Sequence, residues 1–197
     1  MTLCKRLCIA LFSLAPLCAY AAGAPDAVLV PSAADGEKFE ISFDDKHIHV
    51  VAGSNDLYAQ TKLGVRYYRK GQQGEALAEI KFELNGLKIR DPSEKLLWKV
   101  KFDGDKIKIA DNEDMKNAYV IKVKADQDKV FNPKNVEVGS VKQSGESGKI
   151  KVKDAKDKEI YTVESGRMSA SYGVLLLKDI PAPQRLVLAA EIFMQNH

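Results

Sequence analysis

His47 and His49 stand two residues apart, and on a β-strand side chains at i and i+2 share one face. Two imidazoles so placed are candidate metal ligands, with Asp44 or Asp45 to complete the set, and either could act as general base toward a serine. The rest of the chain supplies neither partner. The third histidine is the terminal His197, the cysteines Cys4, Cys8 and Cys18 all fall within the first 21 residues, and no serine sits in a nucleophile-elbow motif. The expectation is of no catalytic residue and no cofactor, with His47 and His49 kept as the metal candidates and as the basis of an alternative hydrolase or metal-dependent reading.

Lysine is the second chemistry-bearing residue type. Lys106 and Lys108, and Lys149, Lys151 and Lys153, take alternate positions in apolar stretches, as do Lys99, Lys101, Lys122 and Lys124. Alternation turns them to the outer face of strands, where rows of ammonium groups could meet anionic headgroups or simply solvate the wall. Asp91, Asp111 and Asp154 recur at equivalent places and suit turns, where a carboxylate accepts nearby backbone N–H groups. Trp98, Tyr119 and Tyr161 follow those turns and read as core or rim aromatics.

These residues are carried by a repeat. Leu87 to Lys101 (LKIRDPSEKLLWKVK) returns 63 residues later as Ile150 to Glu164 (IKVKDAKDKEIYTVE), and a looser copy begins at Ile107, with one inserted residue delaying its aromatic to Tyr119. Each copy is a two-strand unit with one apolar face, which must pack with its neighbours to bury it. Similar alternation at Phe39, Ile41 and Phe43, and again at Ile48 and Val50, predicts a hairpin. Asn85-Gly86 suits the centre of a type I′ turn. Ser54 to Gly64 resists assignment. Val174 to Leu177 reads as one more strand, and the sum is ten to twelve.

At the N-terminus, Lys5 and Arg6 precede an apolar run from Leu7 to Leu17 and a small-residue site at Ala19-Tyr20-Ala21. Residues 1–21 therefore read as a secretory signal cleaved near Ala21, and residues 22–38 as a flexible leader with one short strand at most. Secretion into the periplasm or beyond follows, with no transmembrane segment in the mature chain. Removing the signal leaves 28 basic against 27 acidic side chains, so nucleic acid is not an expected partner.

The C-terminal stretch Gln184 to Gln195 predicts a helix that is apolar on every side, including Leu186, Leu188, Ile192 and Phe193, with Glu191 as its one acid. A helix of that kind belongs inside. The predicted fold is mostly β, an antiparallel barrel of ten to twelve strands around this buried helix, forming one domain over residues 39–197. Repeated strand, Asp turn, strand units ending in a hydrophobic helix resemble the tubby-like barrel of the tubby C-terminal domain, the LURP-one-related proteins and the phospholipid scramblases. That resemblance implies a closed barrel of about twelve strands around a central helix, and no activity. The functional expectation is a non-enzymatic binding or scaffold protein whose partner is a lipid headgroup, a peptide or an envelope protein. A purely structural accessory domain is the other alternative.

Overall fold

One face of nearly every strand is apolar, and its residues are shut away from water: Ile41, Val50, Ile80, Leu87, Ile89, Val100, Ile109, Ile121, Val130, Val141 and Val152 are all 0% exposed. The computed structural model, which describes residues 24–34, 36–44, 46–145 and 147–195, turns these faces inward as a closed barrel. Its strands are β1 (Ala27–Pro31), β2 (Phe39–Phe43), β3 (His47–Ala52), β4 (Asn55–Lys62), β5 (Val65–Lys70), β6 (Ala76–Glu83) and β7 (Gly86–Arg90), then β8 (Leu96–Asp103), β9 (Lys106–Ala110), β10 (Tyr119–Lys122), β11 (Gln127–Phe131), β12 (Glu137–Gln143), β13 (Ile150–Asp154) and β14 (Glu159–Ser165). Each strand pairs antiparallel with its neighbours in sequence, and β1 closes the ring against β14 through Leu29 and Val163.

The barrel thus has 14 strands, not ten to twelve. Two of the extra strands come from stretches whose sequence signal is poor. In β4, Leu57 and Ala59 point inward, but Tyr58 stands among the outward residues and blurs the alternation. In the stretch 22–38, β1 is no leader: Ala27 and Leu29 are 0% exposed and the strand is paired on both edges. The barrel therefore begins at Ala27 and not at residue 39. The proposed signal, residues 1–21 with Cys4, Cys8, Cys18 and the site near Ala21, lies outside the described residues, as do Asp45 and His197.

A ring of 14 strands encloses more space than wall side chains alone can fill, since about eight strands already give an interior the width of packed side chains. Two helices fill it. Helix α1 (Ser171–Val174) and the turn after it replace the predicted strand at Val174 to Leu177; Leu176 and Leu177 bond three residues back, to Gly173 and Val174. An unbroken apolar run carries no period, so helix and strand look alike in sequence. Helix α2 (Ala182–Met194) then crosses the interior, and every residue from Leu186 to Phe193 is buried. Pro183 in its first turn removes an N–H that would lack a partner anyway.

The repeat has four copies in the fold. The turns after β7, β9, β11 and β13 begin at Asp91, Asn112, Asn132 and Asp154 and crowd one end of the barrel. In each, the side-chain oxygen accepts the N–H four residues on (Lys95, Lys116, Val136 and Lys158), at 2.9 to 3.0 Å. The residue three positions on takes a positive φ: Glu94, Met115, Asn135 and Asp157. Asp111 is therefore not the turn residue of the second copy. With Asn112 in that place the supposed insertion vanishes, because Trp98, Tyr119, Gly139 and Tyr161 each follow the turn residue by seven. Gly139 fills the aromatic position of the third copy, where a Cβ would meet Leu176 at 2.8 Å.

The turn at Asn85-Gly86 also shifts by one. Glu83 pairs with Gly86, so Leu84 and Asn85 form the tip, and neither has a positive φ. Gly86 is needed instead for close approach, since a Cβ there would collide with the carbonyl oxygen of Val100.

Candidate functional site

The strand register places His47 opposite Gln60, His49 opposite Tyr58, Tyr58 opposite Arg69 and Gln60 opposite Tyr67, all outward from β3, β4 and β5. With Gln72 from the following loop, His47, Tyr58, Gln60, Lys62, Tyr67 and Arg69 line a groove of about 410 Å³ on the barrel wall. Its floor is the backbone of paired strands and does not depend on a loop for its shape. The His49 ring stacks on Tyr58 at 4.1 Å and 15°, and its Nε2 meets Asp56 Oδ1 at 2.7 Å, which fixes the tyrosine's plane. The groove thus offers rings together with amide, guanidinium and ammonium donors.

The histidines do share a face, as their spacing requires, but each turns to a different carboxylate. His47 Nδ1 lies 3.2 Å from both oxygens of Asp44, while His49 takes Asp56. Asp44 also accepts the backbone N–H groups of Lys46 and His47, and these hold its carboxyl below the usual carboxylate range. Among the described residues no group of three or more His, Cys, Asp or Glu side chains could hold a metal. The groove's lining contains no serine.

The lysines form rows across strands. Lys106, Lys122 and Lys129 are successive register partners, and Lys153 follows beyond Ser140; Lys101 faces Lys108, and Lys142 faces Lys151. Like charges directly opposite are unfavourable, and acids or rings relieve them here. Lys108 pairs with Asp103, Lys129 with Glu137, Lys151 with Glu159 and Lys153 with Asp157, while Lys122 lies 4.3 Å over the Phe131 ring. Lys149 starts beside the turn, its N–H given to Ser147 Oγ. The rows predicted at Lys106, Lys108, Lys149, Lys151 and Lys153 therefore exist, but they are threaded with acids.

Inside the barrel, Glu191 is 0% exposed and both its oxygens are taken. Arg66 Nη1 donates to Oε2 and the Tyr68 hydroxyl to Oε1, each at 2.7 Å. These β5 side chains are its partners, while Arg185 donates to the carbonyls of Leu177 and Ile180, and Tyr172 to that of Arg167. Burial pushes the Glu191 carboxyl up, against the pull of the Arg66 guanidinium. At the far end of α2, Trp98 Nε1 donates to Gln184 at 2.7 Å and its ring meets Tyr119 edge-on. Trp98, Tyr119 and Tyr161 are half-buried rim residues, while Leu186, Leu188, Ile192 and Phe193 are core.

Tyr58 is not legible as a groove residue because Ser54 to Gly64 resists assignment, and without β4 the Tyr67 and Arg69 of β5 have no groove to line. The usable signal was the inward pair Leu57 and Ala59, which makes Tyr58 and Gln60 outward. No family model, no curated protein and no solved structure matches this chain.

Proposed function

We propose that the chain is a non-enzymatic binding protein, exported by a signal in residues 1–21, whose barrel holds rigid a ligand groove on the outer face of β3 to β5. The observation that carries this reading is the groove itself, about 410 Å³ lined by Tyr58 and Tyr67 beside Arg69, Gln60 and Gln72. Its size falls in the range of small-molecule sites, and ring faces with a few aimed donors are how such sites orient a ligand. The ligand class these groups suit is a saccharide ring, with an apolar face to lie on tyrosine and hydroxyl or carboxylate oxygens for the donors. The tubby-like resemblance enters as architecture alone. A closed antiparallel barrel around a hydrophobic helix supports it, and fourteen strands in place of about twelve weigh against it.

A second reading rests on the contact between His47 and Asp44 at the groove's edge, an arrangement that could serve general-base chemistry. One experiment separates the two. A panel of neutral and acidic saccharides is titrated into the protein at low and high salt, with turnover of each followed alongside. Binding without turnover, weakened about tenfold by Tyr67→Ala or Arg69→Ala at an unchanged melting midpoint, is the expected result. Turnover abolished by His47→Ala favours the second reading, and affinity indifferent to Tyr67 and Arg69 removes the groove as the site.

A further inference from the structure

Leu63 and Leu84 are 96% and 98% exposed, and each stands at the tip of a hairpin. The two hairpins, β4–β5 and β6–β7, are neighbours, since β5 pairs with β6, and their tips are about two strand spacings, roughly 10 Å, apart at one end of the barrel. Leu63 also has a φ of +52°, followed by Gly64 at +77°. Asn, Asp or Gly suits that position, and a leucine there is disfavoured both by the backbone and by water. Nothing inside the fold gains from either side chain. Phe82, 40% exposed with the Arg66 guanidinium 5.1 Å over its ring, adds apolar surface beside them.

Three lysines flank these tips. Lys62 adjoins Leu63, Lys81 is the register partner of Val65, and Lys46 lies on the next turn, its carbonyl accepting the Thr61 N–H. Among the described residues no ion pair holds any of the three. Of the acids at this end, Glu83 pairs with Lys88 at 2.9 Å, Asp103 pairs with Lys108 at 3.1 Å, Asp44 accepts the N–H groups of Lys46 and His47, and Asp105 lies on the β8–β9 turn.

We propose that this end of the barrel docks on an anionic lipid bilayer, with Leu63 and Leu84 entering the interface and Lys46, Lys62 and Lys81 meeting headgroup phosphates. Two leucines on separate tips fall far short of the roughly 800 Å² per partner that a stable protein interface buries. A bilayer accepts single side chains without a matching shape, and each nearby lysine adds attraction to anionic lipid. The site is distinct from the wall groove, although Lys62 borders both, so the test rests on the leucines.

The chain without the apolar signal, residues 22–197, is sedimented with vesicles of phosphatidylcholine alone and of phosphatidylcholine with about one-third phosphatidylglycerol. Expected are binding to the mixed vesicles, release at high salt, and a loss of about tenfold in partitioning for Leu63→Asn and for Leu84→Asn. Because Asn tolerates positive φ, Leu63→Asn should melt no lower than the parent, which separates lost docking from lost folding. Failure of the parent to sediment, equal binding to both vesicle types, or leucine variants that bind like the parent would each overturn the proposal.

Discussion

A single carboxylate, Asp128, shows how position overrides residue type. It sits on β11 as register partner of the core residue Val141 and is 2% exposed, with the Lys124 N–H as donor to its Oδ1. Burial raises its carboxyl from the ordinary 3.8 to about 6, and the Lys124 hydrogen bond only partly opposes this. An acid whose folded pKa lies above its unfolded one favours folding most below the unfolded value. That advantage is lost as pH climbs from about 4 to about 6, a change on the order of 2 to 3 kcal/mol. Asp128→Asn keeps the acceptor for Lys124 and loses the charge. Its stability relative to the parent, read from urea unfolding, should therefore rise across that window and stay level above it. A flat difference between pH 4 and pH 7 would show that Asp128 is solvated. Nothing in the local sequence, Gln127-Asp128-Lys129, marks this aspartate as inward. Only the register does.

At the scale of the element, the four Asx turns make a prediction that the first reading of the sequence gets backwards. Asn112→Ala should cost about 1 kcal/mol, the usual worth of a side chain that caps nearby backbone N–H groups. Asp111→Ala should be close to neutral, since its carboxylate accepts only the Asn112 amide on an exposed turn. Thermal unfolding of the two variants checks this, and the reverse order would restore Asp111 as the turn residue. Much of this architecture is legible in the chain: the alternation gives most strands, and the all-apolar stretch from Leu186 to Phe193 gives the buried helix. What stays hidden has physical causes. Asn132 opens a full copy of the repeat, yet the glycine at position 139 erases its aromatic. The outward Tyr58 masks β4, and its concealment hid the groove with it. The α1 run is apolar throughout and offers no period to read.

At the scale of the molecule, a buried ion pair joins wall and filling. Glu191 reaches from α2 to Arg66 and Tyr68 on β5, while Trp98 holds Gln184 at the other end of the helix and apolar contacts hold most of the length between. Arg66→Ala would leave a buried carboxylate with one hydroxyl donor, and should cost about 3 to 5 kcal/mol. Replacing Arg66 and Glu191 together by leucine should cost much less, because no charge then remains inside. Equal losses in chemical denaturation for the single and the double variant would mean that the pair matters for its packing and not for its charge. The closure of β1 on β14 bears on how the chain assembles. Val28 pairs with Ser165, and the helices that fill the lumen come later still. A ribosome delivers the wall first and its contents last, so the nascent strands wait with their oily sides unmet. Most strands can pair with a neighbour as soon as it is made, but closing the ring requires β14, and filling it requires α2. Until α2 arrives, the wall has nothing to close upon.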